Sequence, residues 1–174
     1  MRRVALVAVV GALALAACSG DSEAKVQPYD HAPVPAVPDH THEVLASGTP
    51  ADGDYWAPDA VADTTSGTIN FGLVQAFFGP MCTAELGAEQ CDGDMGVRPE
   101  PSITWTASAA NLTSISVVAE NRQNYAVPGS ELVSLLAGDP PGSRAPEGFA
   151  LQQYPYLITI EAGVVTEVHQ IWMP

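Results

Sequence analysis

The chain has 174 residues and carries 6 Lys and Arg against 20 Asp and Glu, a formal net charge of −14 at pH 7. A surface this acidic repels phosphate backbones, which excludes nucleic acid as a partner. The length suffices for one folded domain with its own core and is short for two.

Residues 1–17 read as a lipoprotein signal peptide. Arg2 and Arg3 open the chain, an apolar run follows, and small residues precede Cys18. The run is about 14 residues, where a membrane-spanning helix needs roughly 20. The unit Leu15-Ala16-Ala17-Cys18 resembles the bacterial lipobox. That resemblance implies cleavage before Cys18, a diacylglycerol on its thiol and acylation of the new amino terminus. Each buried methylene contributes about 0.8 kcal/mol, so two or three chains hold where one is marginal. The expected address is extracytoplasmic, with the protein anchored to the cell membrane through this lipid. Loss of Arg2 and Arg3 makes the remaining chain still more acidic.

Residues 18–52 read as a Pro-rich flexible tether. Pro28, Pro33, Pro35, Pro38 and Pro50 interrupt any helix, and no apolar period survives. The tether holds His31, His40 and His42, each near an Asp. Imidazole with carboxylate suits Zn, Cu or Ni. Ordering a flexible chain around an ion costs entropy, so these are weak metal candidates beside a plain solvated linker.

Residues 53–174 read as a globular β-rich domain. Tyr55-Trp56-Ala57 is a short strand. Residues 68–78 form a central strand, with Ile69, Phe71, Leu73 and Phe77 on one face and Val74, Ala76 and Phe78 on the other. Gly79-Pro80 ends it, and Pro80 starts a helix predicted to run through Glu89, weakened by Gly87. With Cys18 lipidated, Cys82 and Cys91 remain as one pair, which oxidises outside the cytoplasm. A two-cysteine metal site would lack further His or Cys ligands nearby. Asp92-Gly93-Asp94 resembles the start of a calcium loop, but no Glu completes the spacing. Turn chemistry explains the Asp-Gly step without an ion.

Residues 102–106 alternate, with Ile103 and Trp105 inward. Residues 112–118 alternate too, Ile115 and Val117 against Ser114 and Ser116. A helix follows, with Ser130 as its expected cap, Glu131 at its positive end and Leu132, Leu135 and Leu136 on one face. Gly138 and Pro140 stop it. The C-terminal segments 156–161 and 164–172 form a hairpin. A two-residue turn sets Ile160 opposite Val165 and Ile158 opposite Glu167, mixing the faces. A three-residue turn at residues 161–163 sets Ile160 opposite Val164 and Ile158 opposite Thr166. The cleaner face favours the second register. Thr159, Glu167 and His169 then share the other face.

His169 is the one histidine of residues 53–174 and the obvious general base there. No Gly-x-Ser-x-Gly accompanies it, so cross-strand polar pairing accounts for it better than a hydrolase triad. Tyr55, Trp56, Trp105, Tyr154, Tyr156 and Trp172 fill a core or line a cleft.

Asp54-Tyr55-Trp56, Thr68-Ile69-Asn70-Phe71, the loop at residues 92–97 and the closing Gln170-Ile171-Trp172-Met173-Pro174 together resemble a family of actinobacterial secreted proteins and lipoproteins of unknown function. The resemblance implies no catalytic residues and no cofactor. The expected fold is α+β, a small antiparallel β-sheet curled towards a barrel, with one or two short helices. The expected function is a non-enzymatic binding or envelope-associated module. Its partner is a basic protein or a cell-wall component. The alternatives are an inhibitor of a cationic, lysozyme-like secreted hydrolase, and an enzyme using paired carboxylates on cell-wall sugars.

Overall fold

A computed structural model describes residues 29–173. The residues expected to form a signal peptide, Cys18 and the first part of the expected tether lie outside the described residues.

The apolar alternation of the sequence builds a nine-stranded sheet, curled into a half-barrel, with two short helices. The strands in chain order are β1 (Asp30–His31), β2 (Gly53–Ala57), β3 (Ala60–Asp63), β4 (Thr68–Phe78) and β5 (Met95–Ser108), then β6 (Ser114–Val118), β7 (Asn124–Ala126), β8 (Tyr156–Glu161) and β9 (Val164–Gln170). The helices are α1 (Pro80–Leu86) and α2 (Gly129–Leu136). The strand order is β1-β7-β6-β9-β8-β2-β4-β3, with β5 on the other edge of β4. The sheet is therefore larger than expected, and it is mixed. β6 and β9 run parallel, Ser114 beside Glu167 and Ser116 beside His169. Alternation reveals which face a residue takes but not which strand lies beside it, so this long-range pair was not legible.

Neighbouring residues divide between two apolar clusters on opposite faces. Tyr55, Ile69, Phe71, Leu73, Ile158 and Val168 belong to the main core, with Leu132 and Val133 of α2 packed into it. Trp56, Val74, Ala76, Leu157 and Ile171 form a smaller cluster on the reverse face. Each fully buried Ile, Leu or Phe contributes about 1.5–3 kcal/mol of transfer free energy. β4 serves both clusters because it changes partners along its length: its first half pairs with β3, its second half meets β2 at Val74. Opposite that change, β5 skips from Ile103 to Arg98. Pro99 and Pro101 lie in the skipped stretch, where a missing N–H costs no ladder bond. Phe77 keeps the expected alternation but lies against the His40 ring and beneath the Arg98 guanidinium.

The hairpin follows neither simple register. Ala162 and Gly163 both have positive φ and make a two-residue turn that pairs Glu161 with Val164 and Ile160 with Val165. A bulge at Thr166 then restores Ile158 opposite Val168 and Thr159 opposite Glu167. One extra residue thus reconciles a tight turn with a clean apolar face. Val164, expected inside, is 41% exposed, and Val165 takes its place.

α1 ends at Leu86 rather than Glu89, and residues 88–90 form a separate 3-10 turn after Gly87. α2 lacks the expected Ser130 cap. Pro128 holds the N-cap position, with no side-chain capping bond. Glu131 is used elsewhere: it accepts hydrogen bonds from the Tyr29 hydroxyl and from Gly142 N at 2.8 Å.

Cys82 and Cys91 form a disulfide that ties α1 to the start of β5. It lies on Gly96, where a Cβ would stand 2.8 Å from the Cys82 sulfur. The double substitution Cys82→Ser, Cys91→Ser is expected to cost about 2–3 kcal/mol, the loop-closure entropy of a short loop. Urea titration of the oxidised protein and the variant checks it.

From Tyr29 onward, the segment expected to be a free tether is part of the fold. Tyr29, Thr41 and Val44 are buried. Asp30 and His31 pair with β7, and Thr41 exchanges hydrogen bonds with Ala76 of β4. From His31 to His40 the chain crosses the reverse face, past β7, β6, β9, β8 and β2. His40 stands one spacing from β4, so the crossing is five strand spacings of about 4.8 Å, or roughly 24 Å. Nine polyproline-like steps of about 3.1 Å reach roughly 28 Å. The prolines that exclude a helix here set an extended strap of sufficient length. This was missed because its anchors, Tyr29, Thr41 and Val44, carry no periodic pattern.

Burial raises the phenol pKa of Tyr29 and Tyr156 well above the ordinary range, and that of Tyr55 in the same direction. The Glu131 carboxylate adds to the effect at Tyr29. A pKa raised in the folded state means that the folded protein holds these protons more tightly. Their contribution is complete below the unfolded value of about 10 and is lost as pH rises through the folded values. Alkaline titration followed by tyrosinate absorbance should therefore show these three phenols ionising late, and Tm should fall above about pH 10.

Candidate binding groove

Between the strap and the reverse face lies a groove of about 470 Å³. Its floor is a polar ribbon running across four strands: Ser114 and Ser116 of β6, Glu167 and His169 of β9, Thr159 of β8 and Asp54 of β2. All are neighbours of core residues in sequence, so period-two alternation aims them at the opposite face. Leu157 adds apolar floor, and Pro33, Pro35 and Ala36 form the wall opposite.

The ribbon is tied together. Ser116 Oγ lies 2.9 Å from His169 Nδ1, and Ser114 Oγ lies 3.4 Å from Nε2. Glu167 Oε2 lies 3.3 Å from the same Nε2. The Thr159 hydroxyl donates to Asp54 Oδ1 at 2.8 Å. Asn124 Nδ2 donates to Ser116 Oγ at 3.3 Å and to the Gln170 carbonyl at 3.1 Å. Among the described residues, no Lys or Arg lines the groove. Arg98 is held by Gln75 and Glu85, and Arg122 lies over the Trp172 ring.

His169, Glu167 and Thr159 share one face, as their alternation implies. Thr166 does not join them, because the bulge buries its hydroxyl. Ser114, Ser116, Asp54 and Asn124 were not foreseen as a group. The Ser-Ile-Ser pattern signalled two hydroxyls on one face, but only the parallel β6–β9 pairing brings them to the imidazole.

The three remaining histidines disperse. His31 stacks on Tyr125, His40 on Phe77, and His42 lies tilted against Tyr55. They do not meet, because the strap carrying them is spread across the sheet. Among the described residues, no three His, Cys, Asp or Glu are grouped to hold a metal ion. Asp92-Gly93-Asp94 is a tight turn closed by Asp92 and Met95, with Gly93 at positive φ. Tyr55, Trp56 and Tyr156 fill the core.

Among the described residues, no helix is long and apolar enough to cross a membrane. Comparison with protein-family models, curated proteins and solved structures gives no match.

Proposed function

We propose that this protein is a lipid-anchored extracytoplasmic binding module, of the actinobacterial secreted type its motifs resemble, and that it holds its partner in the groove beneath the strap. The observation that carries this reading is the groove itself: a roofed, hydroxyl- and carboxylate-lined space on the reverse face of a well-packed sheet. Pockets of this size with a few convergent polar groups are the usual form of a ligand site. The Cys82–Cys91 bond is consistent with an oxidising compartment.

A catalytic reading has one observation in its favour. Glu167, His169 and Ser116 are connected as acid, base and hydroxyl. Two observations weigh against it. Ser116 is 1% exposed in mid-strand, and ladders to β7 and β9 occupy the main chain on both sides. Ser116 stands within β6, so no sharp turn presents its hydroxyl. The inhibitor alternative draws on the acidic charge and the disulfide-closed loop and has no defined surface.

Two measurements test the proposal. Mass spectrometry of the native product should find Cys18 acylated at a new amino terminus, and an unmodified thiol there would overturn the anchor. A pull-down from native membranes should recover a partner with the wild-type protein and lose it with Glu167→Ala/His169→Ala. Equal recovery with both would move the binding face elsewhere. Inhibition of a lysozyme-like hydrolase that survives moderate salt would favour the inhibitor instead.

A further inference from the structure

Resting on the reading of the groove as a ligand site, we propose that its ligand is an amino sugar, a hydroxylated ring bearing a free primary ammonium group. Charge comes first. The groove holds Asp54 and Glu167, and among the described residues the basic groups lining it are the imidazoles His31 and His169. Of the described arginines, Arg98 lies over Phe77 and beside Glu85, Arg122 lies over Trp172, and Arg144 is outside the lining. An anionic ligand would meet two carboxylates with no guanidinium or ammonium to answer it.

Hydrogen-bonding capacity comes second. Each carboxylate accepts through two oxygens. Only Oδ1 of Asp54 is taken by Thr159, and only Oε2 of Glu167 faces His169. The remaining oxygens are open to donors from solvent or a ligand, the Glu167 side chain being 44% exposed. A cation supplies charge-assisted bonds of the stronger kind. Asp54 and Glu167 flank Thr159 on adjacent strands, so their Cα atoms lie about 10 Å apart across two strand spacings. That separation suits a ring presenting its ammonium to one carboxylate and hydroxyls to the other.

The remaining lining separates a sugar from a bare cation. Ser114 and Thr159 offer hydroxyls, which pair with ring hydroxyls as donor or acceptor. Pro33, Pro35 and Leu157 offer apolar surface to the C–H face of a ring. The volume of about 470 Å³ admits a short oligosaccharide and lies within the range of small-molecule sites. A lysine side chain would use the carboxylates and leave the hydroxyls unemployed.

The test is a calorimetric titration of the full-length protein at low and moderate salt with three probes: the glucosamine tetramer, the N-acetylglucosamine tetramer and tetralysine. The expected result is binding of the glucosamine tetramer, at least tenfold weaker binding of the acetylated tetramer, and weakening with salt. The double variant Asp54→Asn/Glu167→Gln preserves side-chain volume. It should melt within a few degrees of wild type and lose the preference for the free amine. Asp63→Asn, outside the groove, should change nothing. Equal binding of the two sugars overturns the ammonium assignment while the groove stands as a sugar site. Tighter binding of tetralysine overturns the sugar. If no probe binds, the inference fails, and the membrane pull-down then decides separately whether the groove binds anything.

Discussion

Gly129→Ala is expected to destabilise the protein by about 3 kcal/mol or more, against the usual sign for such a change. At an exposed helical position, alanine in place of glycine stabilises by about 0.4–1 kcal/mol. Gly129 opens α2 and is buried. A Cβ built on it would stand 2.1 Å from the Ala109 carbonyl oxygen and 2.8 Å from the carbonyl carbon. Both are backbone atoms of the 3-10 turn Ala109–Asn111, so no rotamer change relieves the clash. Either that turn retreats or α2 lifts. Lifting α2 draws Leu132, Val133 and Leu135 partly out of the core, and all three are less than a tenth exposed. The steric cost outweighs the propensity gain several-fold. Thermal melting should show Tm lower by about 10 °C, given about 2–4 °C per kcal/mol in a chain of this size. Gly138→Ala is the contrast. Its φ is +86° and its surroundings are open, so only backbone strain is added. A loss of about 1 kcal/mol is expected there. Equal effects at the two positions would show that helix-end conformation, not contact with the 109 turn, governs Gly129.

The fold was legible where a residue's own neighbours decide its environment. β4 spans the residues its apolar run predicted, Ile103 and Trp105 point inward, and Leu132 and Leu135 lie on the buried side of α2. The cysteine pair followed from counting. What stayed illegible depends on distant partners. Ser116 reads as one hydroxyl in an alternating strand until β9 lies beside it. Tyr29 reads as part of a linker until its hydroxyl donates to Glu131 and accepts from Gly142 N. The hairpin shows a third kind of gap. Face and turn were argued as rivals because a uniform ladder was assumed, and the bulge at Thr166 removes that assumption. The groove combines these gaps: its floor needs a parallel pairing, and its roof needs a proline segment to be structural. Composition alone foresaw neither, though Ser114, Ser116, Thr159, Glu167 and His169 each had a correct face.

Gln170→Leu is expected to cost about 4 kcal/mol, because this amide is a fully buried junction rather than a surface polar group. Its Oε1 accepts from Val118 N at 2.8 Å, continuing the β6 ladder just past the last β9 main-chain pair at His169. Its Nε2 donates to the carbonyls of Gln152 at 2.7 Å and Tyr154 at 3.2 Å, and lies 3.1 Å from the Tyr156 hydroxyl. One side chain thus fastens β6, β9, the segment ahead of β8, and β8 itself. Leucine fills similar space but leaves Val118 N–H without an acceptor, and an unsatisfied buried group costs about 1–3 kcal/mol by itself. Gln170→Glu separates the polar requirement from the volume. The introduced carboxylate keeps an acceptor for Val118 N–H but turns a charge towards two carbonyl oxygens. Its pKa should rise above the unfolded value of about 4.3, from burial and from lack of donors. A raised folded pKa means that stability is greatest below the unfolded value and is lost as pH rises through the folded one. The Glu variant should therefore approach wild type near pH 4 and fall well below it at pH 7, while the Leu variant stays low at both. Urea unfolding at the two pH values checks this. A Leu variant as stable as wild type would mean that Val118 and the 152–154 carbonyls find other partners, and the junction would have to be assigned to packing alone.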